Sequence, residues 1–116
     1  MGAVVSEAEE ELSNKPQQLR IYGFDYTIDW NASRELMADG NWGQTDSFSN
    51  TIKVDGQASL QRQRETLLHE VLHAASYVLT SDNQPSEAQI KALAIGLFQT
   101  IRDTPDFWSF ISEEDD

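Results

Sequence analysis

The feature that most constrains this chain is the pattern His69-Glu70-x-x-His73, which lies inside a run of residues with helical apolar spacing. Side chains four positions apart on an α-helix share one face, so both imidazoles can reach one metal ion. In hydrolytic sites zinc usually takes three protein ligands and keeps its fourth position for water. Glu70 lies about 100° round the helix from His69, beside that water. The pattern therefore predicts a zinc site in which Glu70 activates the zinc-bound water.

The residues around the motif predict a largely buried helix with one polar strip. Apolar residues cover more than half of the helix circumference, and Thr66, His69, His73 and Ser76 share the remaining sector. A short pattern with two free positions also recurs by chance, and the two histidines would then be merely exposed or hydrogen-bonded. The buried helical setting favours the metal site over this alternative.

Composition limits what else can bind the metal. The chain has no cysteine, and His69 and His73 are its only histidines. A three-histidine site of the metzincin type is excluded, because Ser76 stands where its glycine belongs and Leu79 where its third histidine belongs. The third ligand must therefore be a carboxylate.

Two carboxylates beyond the motif helix are candidates for this third ligand. Glu87 opens the next predicted helix, and an antiparallel return of that helix would bring it toward the histidines. Glu87 could instead only favour the helix N-terminus through the macrodipole. We predict that Glu87 is the ligand and keep Asp82 as the second choice.

The rest of the sequence predicts an α+β fold, in which a small twisted sheet of about three strands, antiparallel or mixed, packs on the motif helix and a second long helix. Apolar residues alternate from Leu19 to Trp30 and predict strand structure with a bend or bulge at Gly23. A short helix capped by Asn31 is expected over residues 32–39, a turn-rich loop over 40–50, and a strand over 51–55.

The C-terminal third predicts a second long helix that begins near Pro85 and ends at Pro105. Helical spacing assigns its buried face to six residues: Ile90, Leu93, Ala94, Leu97, Phe98 and Ile101. The aromatic segment 106–111 is expected to fold back onto the core as a latch.

We predict one domain over residues 18–111, preceded by a flexible acidic arm, 1–17, with a frayed helical turn at 7–12, and followed by an acidic tail, 112–116. The formal charge is −12, and much of the excess lies in the ends: residues 1–17 carry four glutamates and one lysine, and residues 101–116 carry six acids and one arginine. This distribution argues against direct nucleic-acid binding. It is explained by solubility or, alternatively, by mimicry of nucleic acid toward a basic partner.

No apolar run approaches the roughly 18 residues that a membrane span needs. The first residues also lack the basic-then-apolar order of a signal peptide. We therefore expect a cytoplasmic protein with no membrane partner.

Three stretches together resemble a known family. They are the strand at 51–55, the helix carrying T-L-L-H-E-V-L-H-A, and the helix that opens with S-E-A. Over roughly residues 18–111 the chain is similar to the small single-domain gluzincin zinc metallopeptidases of phages and mobile elements. The resemblance implies that His69, His73 and Glu87 bind zinc, that Glu70 is the general base, and that the strand at 51–55 forms the sheet edge that holds an extended peptide. Where many relatives have Asn or Asp four residues after the glutamate, this chain has Lys91.

These observations predict a zinc-dependent peptidase that cleaves an extended polypeptide. Peptide hydrolysis also needs a donor for the developing oxyanion, and Tyr77, on the Glu70 side of the helix, is a candidate, although an aromatic residue in a helix is more often core. The alternative is a catalytically silent protein of the same fold that acts by occupying a protein partner. The oligomeric state stays open, with Trp42 and residues 107–110 as a potential exposed apolar patch.

Overall fold

The computed structural model describes residues 15–79 and 83–113. In this part of the chain the fold is α+β, as predicted, and its mixed sheet has four strands, close to the expected three. The strands are β1 (Gln18–Ile21), β2 (Phe24–Asp29), β3 (Gly43–Asp46) and β4 (Thr51–Val54), and the helices are α1 (Ser33–Ala38), α2 (Leu60–Leu79), α3 (Glu87–Asp103) and α4 (Pro105–Ser112). The helical turn predicted at 7–12, the second-choice ligand Asp82 and most of both acidic ends lie outside the described residues. No helix in the described ranges is both long enough and apolar enough to cross a membrane.

β1 and β2 form an antiparallel hairpin whose turn consists of Tyr22 and Gly23. Both residues have positive φ angles, 51° and 83°, which is the backbone conformation of tight hairpin turns. Where the sequence predicted a bend or bulge at Gly23, the chain therefore forms a hairpin turn and reverses its direction. Tyr26 and Ile28 of β2 then point into the core.

The strand order is β1-β2-β4-β3, so β4 lies inside the sheet. It pairs in parallel with β2 and in antiparallel fashion with β3, and its Ile52 and Val54 side chains are completely buried. The prediction that the strand at 51–55 forms the sheet edge is therefore wrong. The edge strand beside α2 is β3, which lies within the segment predicted to be a turn-rich loop.

The short helix α1 is held by Asp55 rather than capped by Asn31. Its N-cap position is Ala32, which makes no capping side-chain hydrogen bond, while Asn31 forms an isolated bridge with Asp55. The Ser33 hydroxyl donates to the buried Asp55 carboxylate at 2.6 Å, and the backbone N–H of Gln57 donates to the same oxygen at 3.0 Å. Asp55 thus connects the end of β4 to α1 and to the turn that leads into α2.

α2 packs against the sheet with an unusually polar contact face. Its most buried side chains are Gln63, Thr66, Glu70 and Ala74, whereas Leu67 and Val71 lie at the margin of the core. The side-chain amide of Gln63 donates to the carbonyls of Gly56 and Ala58, at 3.2 and 2.6 Å. These bonds fix the loop that enters α2.

α3 begins with a capping box in which Ser86 and Gln89 each accept a hydrogen bond from the other's backbone N–H. Of its predicted apolar face only Ile90 and Ala94 are buried, and Leu93 and Leu97 are exposed. The predicted aromatic latch is also wrong: residues 106–111 belong to α4, which packs on α3 and has no buried residue. Among residues 15–79 and 83–113, nothing covers the large apolar surface of these two helices.

Gly43 marks the place where β3 comes closest to α2. A Cβ atom there would lie 2.5 Å from Cγ2 of Thr66 and 3.1 Å from Cγ of Glu70. We expect Gly43→Ala to lower the free energy of unfolding by about 1–3 kcal/mol, because β3 or α2 must move. The measurement is urea unfolding.

Gly96→Ala is the matched control, since a Cβ at this helical glycine meets nothing within 4 Å. It should raise the free energy of unfolding by about 0.5–1 kcal/mol, because alanine favours the helix. If Gly43→Ala were as stabilising as Gly96→Ala, the close approach of β3 to α2 would be contradicted.

Candidate metal centre

Side chains from α2 and α3 converge on one point. Nε2 of His73 lies 2.8 Å from Oε1 of Glu87, and Nε2 of His69 lies 3.1 Å from Oε2 of the same carboxylate. The two Nε2 atoms lie 3.1 Å apart. Helical spacing aligns the two histidines, and the return of α3 along α2 brings Glu87, its first residue, against them.

These three residues, which we call the metal-ligand group, could hold a metal ion, because one ligand atom from each lies within 4.8 Å of the others. Tetrahedral zinc with bonds of about 2.0–2.2 Å holds its ligand atoms roughly 3.3–3.5 Å apart, so the separations of 2.8–3.1 Å would widen by about 0.2–0.7 Å around such an ion. Two neutral imidazoles can both direct a lone pair at one cation, whereas only one of them can donate a hydrogen bond to the other. Comparisons of the chain with protein-family models, curated proteins and solved structures found no match. The chemistry of the site must therefore be inferred from its own residues.

Glu70 lies beside this group but turns toward the sheet. Its side chain is only 7% exposed, and the Thr45 hydroxyl lies 2.8 Å from its Oε1 and 3.0 Å from its backbone oxygen. Burial raises the pKa of the Glu70 carboxyl above its usual value, and the hydrogen bond from Thr45 and the charges of the histidines oppose that rise. A carboxyl group whose pKa is raised by burial is a candidate to accept and return a proton.

The raised pKa makes the stability of the metal-free protein depend on pH. Between the unfolded value, near 4.5, and the higher folded value, the folded chain binds more protons than the unfolded chain. The free energy of unfolding therefore falls as pH rises through that window. We expect metal-free Glu70→Gln to become progressively more stable relative to the wild type as the pH rises above about 4.5, as measured by urea unfolding. A stability difference that does not change with pH would contradict a raised pKa.

Two open cavities meet at the three-residue group and share four lining residues: Asn41, Gly43, Glu70 and Glu87. The first, of about 300 Å³, extends from His69 toward Trp42. The second, of about 580 Å³, extends from His73 toward the exposed ring of Phe48. Together they form a continuous groove beside β3, which we call the site groove.

Among the described residues, β3 has a strand partner on one side alone, so half of its backbone groups face away from the sheet. The carbonyl of Trp42 accepts from the N–H of Asp55 at 2.9 Å. Because residues of an antiparallel strand alternate between facing the partner and facing away, the backbone groups of Gly43 and Thr45 point away from β4. The described sheet has two edge strands, β1 and β3, and β3 is the one that borders the site groove. Peptide pairing, which the resemblance implied for the strand at 51–55, would therefore fall to β3.

Tyr77 lines the second cavity together with His73 and Glu87. Nearly half of its side chain, 47%, is exposed, so it is not a core residue. Part of the residue therefore borders the site groove.

Sequence patterns gave no signal for Thr45, which lies in the segment predicted to be a loop. They also did not relate Arg62 or Trp42 to the site, although both line the first cavity.

Proposed function

We propose that this chain is a zinc-dependent peptidase of the gluzincin type that hydrolyses an extended polypeptide bound along β3. The observation that carries the proposal is the convergence of His69 Nε2, His73 Nε2 and the Glu87 carboxylate beside the buried Glu70. The open site groove along a free strand edge supports a polymeric rather than a small substrate.

His69, His73 and Glu87 would hold the zinc, which supplies Lewis acidity when bound and lowers the pKa of water to about 7. Oε2 of Glu70 would take a proton from the attacking water and deliver it to the leaving amine. Thr45 orients this carboxylate through its bond to Oε1. The Tyr77 hydroxyl would donate to the developing oxyanion, a role supported by the position of Tyr77 in the lining of the second cavity.

The test uses the full chain purified without a metal-binding tag. Elemental analysis should find about one zinc per chain. The zinc-loaded protein is then incubated with a proteome-derived peptide mixture, and new peptide termini are identified by mass spectrometry. We expect termini that disappear on chelation and return when zinc is restored. A protein that binds no zinc, or a zinc-loaded protein that cuts nothing, would contradict the proposal.

A specific observation favours a second candidate, a silent binding protein of the same fold. Apolar side chains on α3 and α4 are exposed to a degree typical of interaction surfaces: Leu93, Leu97, Phe107, Trp108, Phe110 and Ile111. For such a protein, partner binding would be unchanged by Glu70→Gln or by chelation, and no peptide would be cut. If it acted by acidic mimicry, removing residues 1–14 and 114–116 should abolish partner binding.

A further inference from the structure

The two ends of the site groove carry opposite charges. The first cavity contains Arg62 and Lys91, and the second contains Asp46. The chain has 20 acidic residues against eight basic ones, so two cations in one small cavity run against the overall composition. Hydrogen bonds from Ser49 and from the backbone N–H of Phe48 lower the pKa of Asp46, which keeps the opposite end anionic.

The charged groups of Arg62 and Lys91 have no salt-bridge partner in the described part of the chain. Over residues 15–79 and 83–113, neither Arg62 nor Lys91 forms an ion pair, whereas the cations Arg20 and Lys53 each bind a carboxylate. Arg62 stacks over the ring of Trp42, with its Cζ 4.9 Å from the ring centroid. Stacking uses the face of the guanidinium and leaves its in-plane N–H donors available.

Three carboxylates also line the first cavity: Glu65, Glu70 and Glu87. Glu70 and Glu87 line the second cavity as well, so they lie where the two cavities meet. Of the Arg, Lys, Asp and Glu residues that line the first cavity alone, two are cations, Arg62 and Lys91, and one is an anion, Glu65. The end of the site groove that these residues line therefore has an excess of positive charge.

We infer that the first cavity is a carboxylate-binding subsite, which takes an acidic side chain or the C-terminal carboxylate of the bound polypeptide through Arg62 and Lys91. The inference rests on the proposed function and names its substrate class. β3 runs from Gly43, at the junction of the cavities, to Asp46 in the second. A peptide paired antiparallel to β3, the more stable arrangement, runs the opposite way. Its residues on the C-terminal side of the cleaved bond therefore enter the first cavity.

Peptide binding tests the subsite without relying on cleavage. The probes are acetylated, amidated alanine octapeptides with Asp or Asn scanned through each position, plus the all-alanine peptide with a free or amidated C-terminus. Binding to zinc-loaded Glu70→Gln is measured by calorimetry. We expect Asp on the C-terminal side to bind about fivefold to tenfold more tightly than Asn, which corresponds to about 1–1.4 kcal/mol.

The same binding measurement on variants that also carry Glu70→Gln identifies the residues that cause the preference for Asp over Asn. Lys91→Gln and Arg62→Gln should each reduce it, and Lys91→Arg should retain it because the charge remains. Glu65→Gln should enlarge it. Arg20→Gln removes one positive charge on β1, at the opposite edge of the sheet, and should leave it unchanged.

Equal binding of the Asp and Asn peptides, together with equal binding of the free and the amidated C-terminus, would overturn the subsite, and so would no detectable binding of any of these peptides. A preference that survives both Lys91→Gln and Arg62→Gln would also overturn it. Tighter binding of the free C-terminus than of any internal Asp supports the subsite and identifies the terminal carboxylate as its ligand. Cleavage is scored separately with the wild-type protein. A preference for the acidic peptides without cleavage supports the subsite and contradicts the peptidase activity. Cleavage without such a preference supports the peptidase activity and contradicts the subsite.

Discussion

Glu70→Gln is expected to reduce peptide cleavage about 10²–10⁴-fold, the usual contribution of a general acid–base group, while zinc stays bound. Glutamine has nearly the same shape, and its amide oxygen can still accept the hydrogen bond from Thr45. It cannot take a proton from water. The measurement is the rate of cleavage of one peptide found in the library experiment, together with the zinc content of both proteins.

Glu65→Gln provides the matched control. It removes a carboxylate from the same helix and the same cavity, but from a residue that is not part of the metal-ligand group. On a peptide without acidic residues it should retain the wild-type rate. Cleavage by Glu70→Gln at the wild-type rate, with zinc bound, would exclude Glu70 as the base.

Zinc is expected to stabilise the folded chain strongly. At a free zinc concentration 100 times the dissociation constant, the free energy of unfolding should rise by about 2.7 kcal/mol. For a domain of this size that corresponds to roughly 10 °C in melting temperature. Glu87→Gln and His73→Ala should lose most of this shift, because each removes one of three ligands. Thermal unfolding with and without zinc measures it.

Asp82→Asn is the informative comparison, because Asp82 is the other carboxylate that the sequence offered. It should leave the zinc-induced shift intact. If Asp82→Asn abolished the shift and Glu87→Gln preserved it, Asp82 would be the ligand and the pairing of Glu87 with the histidines would be only an ion pair. A shift that persists after His73→Ala would mean that zinc binds elsewhere.

The sequence predicted correctly that the side chains of His69, His73 and Glu87 lie close together, because helix geometry determines their relative positions. Four residues along α2 place His69 and His73 on one face whatever surrounds them. Glu87 follows from a short connection between two long helices, which must then run side by side. The convergence of the three residues was therefore accessible without coordinates, and the binding of zinc there remains a prediction.

β3 and Thr45 could not be predicted from the sequence. A period-two pattern reports apolar side chains that face a core, but the inward residues of β3 are Gly43 and Thr45, which face Thr66 and Glu70 of α2. The sequence also could not predict that most of α3 and α4 is exposed to solvent. Helical spacing indicates which residues share a face and carries no information about what covers that face.

The attachment of α3 has a consequence for how the chain holds together. Among its described side chains only Ile90 and Ala94 are buried, both in its first half, and the metal-ligand group lies at that same end. An ion shared by His69, His73 and Glu87 would cross-link the two long helices in a chain that has no cysteine to form a disulfide. This cross-link would close a short loop between α2 and α3, and it would be reversible because the ion can be removed. Removing the ion would then both disable the site and loosen α3 and α4 from α2.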